Sequence, residues 1–128
     1  MSRRWIDQRL LLLLHDESLA EHGGAAGLRD EGLLDSALAR PLNLAAYGKP
    51  DVCGLAAAYA VGLAKNHPFV DGNKRAAFLA AGLFLELKGM RLTATQVEAT
   101  HAMHGVAAGT MKEAAFAEWV RRNSKRRR

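Results

Sequence analysis

The chain has 128 residues, 49% of them hydrophobic, so it can bury one hydrophobic core but not two. Its one cysteine, Cys53, cannot form an internal disulfide, and its longest uncharged stretches, such as Val52 to Ala64, are too short to span a bilayer. Residues 5–120 carry ten Lys and Arg against 13 Asp and Glu, a net charge of −3, so the formal charge of +5 comes from the two ends of the chain. The negative charge of residues 5–120 argues against a nucleic-acid-binding body.

The first half of the chain predicts three helices. The first runs from Ile6 to about Glu21, and no signal-peptide pattern opens the chain, so the expected location is the cytoplasm, with no membrane partner. Asp30 is predicted to cap a short amphipathic helix that ends at Pro41. The third helix is predicted from Val52 to about Asn66; it is rich in Ala and Gly and carries no charge before Lys65, which indicates burial on all sides.

The second half predicts three more helices and no strand. The first of them is predicted from Lys74 to Lys88, and the other two follow capping-box patterns that begin at Thr95 and Thr110. The expected fold is a single compact all-α domain of about six helices, residues 1–122. A basic C-terminal tail, residues 123–128, is expected to be a solvated, frayed end, with contact to RNA or an acidic protein as the alternative.

A nine-residue segment between the third and fourth predicted helices carries the most chemistry: His67-Pro68-Phe69-Val70-Asp71-Gly72-Asn73-Lys74-Arg75. Pro68 disfavours helix at His67, so the third helix should end there and present the imidazole at its end. The following Asp-Gly-Asn is typical of a turn that begins a helix, with Asp71 or Asn73 as the N-cap. The free N–H groups of such a helix start form an anion-binding site.

Four side chains of this loop are the candidates for catalysis: His67, Asp71, Lys74 and Arg75. An imidazole can take a proton from an attacking hydroxyl, and a carboxylate such as that of Asp71 is the oxygen ligand that Mg²⁺ prefers beside phosphate oxygens and water. The cations would neutralise phosphate charge. The expected nucleotide-binding residues lie at the helix start: Gly72, Asn73, Lys74 and Arg75. Phe69 is expected to anchor the loop in the core.

This loop resembles the signature of the Fic/Doc superfamily, His-x-Phe-x-(Asp/Glu)-Gly-Asn-(Gly/Lys)-Arg. Two upstream stretches, residues 27–41 and 57–66, are also similar to the helices that precede the loop in Doc-type proteins, and the resemblance covers roughly residues 6–122. Most Fic enzymes have Gly where this chain has Lys74, whereas toxins of the death-on-curing (Doc) type have Lys there. Ala76 departs from the Thr that commonly follows the loop arginine, and its missing hydroxyl could lower activity.

The resemblance implies a toxin of a toxin–antitoxin system that uses ATP and Mg²⁺. It implies transfer of the γ-phosphate to a protein hydroxyl, by resemblance a threonine of elongation factor Tu, which would block translation. It also implies a separate antitoxin protein as inhibitor. Many Fic enzymes carry an inhibitory (Ser/Thr)-x-x-x-Glu-(Gly/Asn) helix, and five candidates lack Glu four residues later: Ser18, Ser36, Thr95, Thr100 and Thr110.

Two other functions stay open. AMP transfer, the activity of most Fic enzymes, is opposed only by Lys74, whose side chain would fill space that glycine leaves for a diphosphate. A catalytically silent helical module that binds a partner is the alternative from another class.

His101 and His104 could share a metal on one helix, but no third ligand accompanies them, and His15 suggests no role.

Overall fold

The computed structural model describes residues 5–127, which form six helices and one two-stranded sheet. In chain order these elements are α1 Gln8–His22, α2 Glu31–Tyr47, α3 Val52–Asn66, α4 Asn73–Leu87, β1 Met90–Leu92, α5 Gln96–Ala108, α6 Glu113–Arg122 and β2 Ser124–Arg126. The predicted all-α class and the number of helices are confirmed. Within this range no helix combines the length and the apolar character that crossing a bilayer requires.

Helix α3 is the centre of the fold and packs against α2, α4, α5 and α6. All of its residues from Leu55 to Ala64 are buried, as its Ala- and Gly-rich sequence predicts. Gly62 permits a close approach of α2, because a Cβ there would lie 3.3 Å from the Cα of Ala37. Tyr59 packs on Phe84 of α4 with ring centroids 5.2 Å apart. The loop between α3 and α4 therefore joins two helices that are themselves held in the core.

Helix α2 does not end at Pro41, and the prediction that it would is wrong. The helix continues to Tyr47 with Pro41 buried inside it. A proline within a helix removes one hydrogen bond, that to the carbonyl of Ala37, and costs about 3 kcal/mol or more. Packing of Ala37 and Pro41 in the core offsets that cost. Local sequence rules cannot predict this, because they do not include tertiary packing.

Helix starts agree with the sequence in most cases. Asp30 and Asp51 accept hydrogen bonds from the first turns of α2 and α3, and Thr95 forms the predicted capping box with Glu98. The capping box expected at Thr110 is wrong: α6 begins at Glu113 without a side-chain cap. The Thr110 hydroxyl instead donates to the carbonyl of Gly105, 3.3 Å away, at the end of α5.

The sheet was not predicted, because three-residue strands are too short to show a period. Strands β1 and β2 are antiparallel, with Met90 opposite Arg126, Arg91 opposite Lys125 and Leu92 opposite Ser124. The backbone N–H of Arg127 also donates to the carbonyl of Gly89, 2.8 Å away. The expectation of a frayed end is therefore wrong for residues 124–127, which are attached to the helical body.

Candidate active site

The loop between α3 and α4 lies at the base of a cleft of about 1070 Å³. Helix α4, strand β1 and helix α5 form its walls, which carry Leu79, Leu83, Leu92 and Met103. All the candidate site residues line it: His67, Asp71, Gly72, Asn73, Lys74 and Arg75. The structure thus brings the residues of the motif together at one concave surface that has room for a ligand.

His67 ends α3 in the left-handed conformation, with φ 51°, and its ring is exposed. Such a φ is uncommon for a residue with a side chain and needs support from its surroundings. Arg29 supplies that support, because its Nε donates to the His67 carbonyl at 2.7 Å and its guanidinium also donates to the Asn66 carbonyl at 3.0 Å. The backbone of His67 is fixed while its imidazole faces the cleft.

The segment between α1 and α2 runs along the back of the loop. The N–H of Arg29 donates to the Pro68 carbonyl at 2.7 Å, and the N–H of Val70 donates to the Gly27 carbonyl at 3.0 Å. Leu28 and Phe69 form an isolated antiparallel bridge between these hydrogen bonds. The loop is held along its length by a short strand-like pairing as well as by its two helices.

Asn73 is buried, and its side chain is hydrogen-bonded to the backbone of Phe69 in the same loop. Its Oδ1 accepts the N–H of Phe69 at 2.9 Å, and its Nδ2 donates to the carbonyl of the same residue at 3.0 Å. Neither Asn73 nor Asp71 is the N-cap of α4, so that prediction is wrong; the N-cap is Gly72. The expected burial of Phe69 is confirmed, at 1% exposure. Asn73 can therefore offer a ligand its backbone N–H, but its amide group is already used.

The start of α4 has the properties of an anion site. Gly72 has φ 75° and provides no side-chain cap, so the N–H groups of the first turn of α4 have no side-chain acceptor at that position. A Cβ at this position would lie 3.2 Å from Nε2 of His15, so both conformation and space favour glycine. Lys74 and Arg75 flank these groups, Lys74 with an exposed side chain.

Asp71 is exposed but oriented by two backbone N–H groups. Its Oδ1 accepts from Gly72 at 2.8 Å and its Oδ2 accepts from Ala25 at 3.2 Å. Each carboxylate oxygen keeps a lone pair that a cation could use. In residues 5–127 no three His, Cys, Asp or Glu side chains form a group that could hold a metal, so Mg²⁺ here would take its other ligands from phosphate oxygens and water, as it commonly does.

Comparison with known proteins shows the family to which the chain belongs. Residues 5–85 match the model of the Fic/DOC family. The chain belongs to the Fic/DOC family. It is 32% identical over 120 residues to "Protein kinase doc" of Escherichia phage P1, covering 93% of this chain and 94% of that protein. It is 48% identical over 75 residues to "Toxin Doc" of Mycolicibacterium smegmatis, a match that spans 56% of this chain and 57% of that toxin.

The Fic/DOC loop of this chain also depends on His15, a residue for which sequence analysis suggests no role. His15 of α1 is 2% exposed and stacks on Phe69 with ring centroids 3.8 Å apart. Its Nε2–H donates to the carbonyl of Asp71 at 2.8 Å. The one signal in the sequence is a histidine in a leucine-rich stretch, and 56 residues separate the two partners. His15 therefore holds the backbone of the candidate metal ligand.

Replacing His15 by leucine is expected to destabilise this Fic/DOC domain by about 1–3 kcal/mol, because the Asp71 carbonyl would lose its donor while the volume stays similar. Denaturant unfolding measures the change. His22→Leu is the matched control, since His22 is an exposed histidine on the same helix and its replacement should leave stability nearly unchanged. Equal effects of the two substitutions would contradict a supporting role for His15.

Proposed function

We propose that this protein is a Doc-type toxin and a protein kinase, which transfers the γ-phosphate of ATP to a hydroxyl group of a protein substrate in the cytoplasm. The observation that carries the proposal is that the Fic/DOC loop is complete and has Lys74, not Gly, at its variable position. Lys74 lies at the start of α4 and lines the cleft. A relative named a protein kinase, aligned over 94% of its length, supports the same activity. The proposed substrate is a threonine of elongation factor Tu.

The proposed mechanism uses the loop as a preorganised cradle. The N–H groups at the start of α4 hold phosphate oxygens, while Lys74 and Arg75 neutralise charge as it develops. His67 accepts the proton of the attacking hydroxyl, whose oxygen bonds to the γ-phosphorus as the bond from that phosphorus to the bridging oxygen breaks and ADP leaves. Asp71 would hold Mg²⁺, which supplies charge neutralisation of the phosphates when bound.

Lys74 favours phosphate transfer over AMP transfer for a steric and an electrostatic reason. A glycine at this position would leave the helix start open for a diphosphate, whereas the Lys74 side chain fills part of that space and adds a cation. The nucleotide then binds in another orientation and presents its terminal phosphate to the nucleophile. The product is a phosphorylated protein and ADP.

Mass spectrometry of a bacterial lysate incubated with the protein and ATP tests this proposal. We expect a phosphate adduct on one major protein, with elongation factor Tu as the first to inspect, and no adduct with the His67→Ala variant. An AMP adduct would assign the chain to the AMP transferases. No adduct from a folded protein would favour the silent binding module.

Lys74→Gly is expected to abolish γ-phosphate transfer, with some AMP transfer gained, because it removes a cation and opens the cradle. Parallel reactions with α-labelled and γ-labelled ATP measure the two products. Lys49→Gly is the control, since Lys49 is exposed and outside the cleft, and it should keep the wild-type products. Label transfer from α-labelled ATP by the wild type would contradict the kinase assignment.

The proposed inhibitor is a separate antitoxin whose segment folds against the apolar part of the cleft beside the loop. The walls there carry Leu79, Leu83 and Met103, which suit an amphipathic helix. Co-expression with the product of the adjacent open reading frame should restore growth and yield a co-purifying complex. A chain that is harmless at high expression without any partner would contradict this account.

A further inference from the structure

A second concave surface, of about 640 Å³, lies over the β1–β2 sheet and is rich in cations. We call it the basic sheet, and its residues are Glu86, Arg91, Lys125, Arg126 and Arg127. Arg127 is paired with Glu86 at 2.7 Å, so these two charges compensate each other. Within residues 5–127 the other three cations have no carboxylate at ion-pair distance. The surface therefore carries uncompensated positive charge.

Two of these cations face each other across the sheet. Arg91 is directly opposite Lys125, and both are exposed. Directly opposite residues lie on one face with Cβ atoms about 5 Å apart, and like charges at that position are destabilising. Packing does not need them, because Met90 and Leu92 are the β1 residues that contact the core. The sheet thus keeps a like-charge pair that its packing against the core does not require.

We infer that the basic sheet binds a carboxylate-rich segment of a partner protein. Guanidinium groups bind carboxylates through paired hydrogen bonds, and an acidic segment would relieve the repulsion between Arg91 and Lys125. Nucleic acid suits the surface less well. The basic sheet contains no aromatic side chain on which a base could stack.

The basic sheet is continuous with the candidate active site. Arg91 and Glu86 line both concave surfaces, so a segment bound over β1 and β2 lies at the edge of the cleft. An acidic stretch of a partner protein would thereby be held close to the loop that carries His67. This surface would act in recognition, separately from the chemistry of the loop.

Fluorescence anisotropy with a labelled octaglutamate peptide tests this inference without any need for kinase activity. The double variant Lys125→Glu, Arg126→Glu should bind the peptide at least ten-fold more weakly than the wild type. The control variant Arg9→Glu, Lys49→Glu makes the same change in net charge at exposed sites outside the basic sheet and should bind as the wild type does. Binding should weaken as salt increases.

A stability measurement separates recognition from folding. Lys125→Glu converts the like-charge pair with Arg91 into an opposite-charge pair, so its melting temperature should equal or exceed that of the wild type while peptide affinity falls. No saturable peptide binding by the wild type, or equal losses in the double variant and the control, would overturn the inference. Tighter binding of an oligodeoxythymidine of equal charge would also overturn it and assign the surface to nucleic acid.

Discussion

His67→Asn is expected to abolish toxicity on expression and to lower phosphate transfer by about 10²–10⁴-fold, because it removes the proposed base. The fold should survive. The His67 ring is exposed, and asparagine tolerates the left-handed conformation in which His67 ends α3. The Arg29 hydrogen bond to the carbonyl of this residue involves only backbone on the His67 side and should persist.

Growth after induction, radiolabel transfer and thermal melting measured on the same variant check this result. His67→Ala should be equally inactive, with a small additional loss of stability from the conformation. His101→Asn is the control, since His101 is an exposed histidine outside the cleft, and it should stay toxic. If the His67 variants remain toxic at equal abundance, His67 is not the base.

Asp71 offers a companion test of the proposed metal ligand. Asp71→Asn keeps an oxygen that can accept the Gly72 N–H but removes the negative charge. We expect loss of toxicity, a melting temperature close to that of the wild type, and weaker binding of Mg²⁺ with ATP by calorimetry. Unchanged magnesium dependence of nucleotide binding would exclude Asp71 as the ligand.

Phe69→Ala is expected to lower stability, unlike the His67 and Asp71 variants, whose fold should survive. The expected destabilisation is about 3–5 kcal/mol, since the substitution removes a buried aromatic ring. Phe69 is 1% exposed, stacks on His15 and has both backbone groups bound by Asn73. A cavity at this point would loosen the loop and both helices beside it. For a domain of this size the change is a large part of the total stability.

Denaturant unfolding of Phe69→Ala measures the effect, and Val70→Ala is the matched control. Val70 is the next residue of the same loop and is 53% exposed, so its truncation should change stability by less than about 0.5 kcal/mol. A Phe69 variant as stable as the Val70 variant would remove Phe69 from the core. Toxicity lost in Phe69→Ala would then have to arise from chemistry instead of folding.

The features that could be predicted from the sequence are those that depend on residues adjacent along the chain. The buried helix α3 has the predicted bounds, and the segment from His67 to Arg75 joins it to α4, which begins at Asn73, one residue before the predicted start. Pro41 disfavours a helix locally, yet α2 continues through it because burial outweighs that cost, so the predicted end at Pro41 is wrong. Asp71, Gly72 and Asn73 all suit a helix start, so the choice of N-cap depended on contacts outside the turn.

The features that were missed are contacts between distant parts of the chain. His15 meets Asp71 across 56 residues, and β1 meets β2 across about 34 residues; no local period marks either contact. Both affect the site: His15 fixes the loop from behind, and β1 forms a wall of the cleft. A sequence motif therefore identifies the candidate reacting groups, while the surfaces that hold and surround them depend on the fold.

The two sides of the cleft differ in how freely they can change over evolutionary time. On the loop side the buried Asn73 side chain is bound to both backbone groups of Phe69, so its replacement would disturb the loop and the proposed catalytic groups together. On the α5 side Gln96, Thr100 and His104 line the cleft with exposed side chains that the core does not use. Substitutions along α5 can therefore alter which ligands enter the cleft while the proposed catalytic loop stays intact, which would let closely related proteins of this fold differ in the ligands they select and keep the same loop.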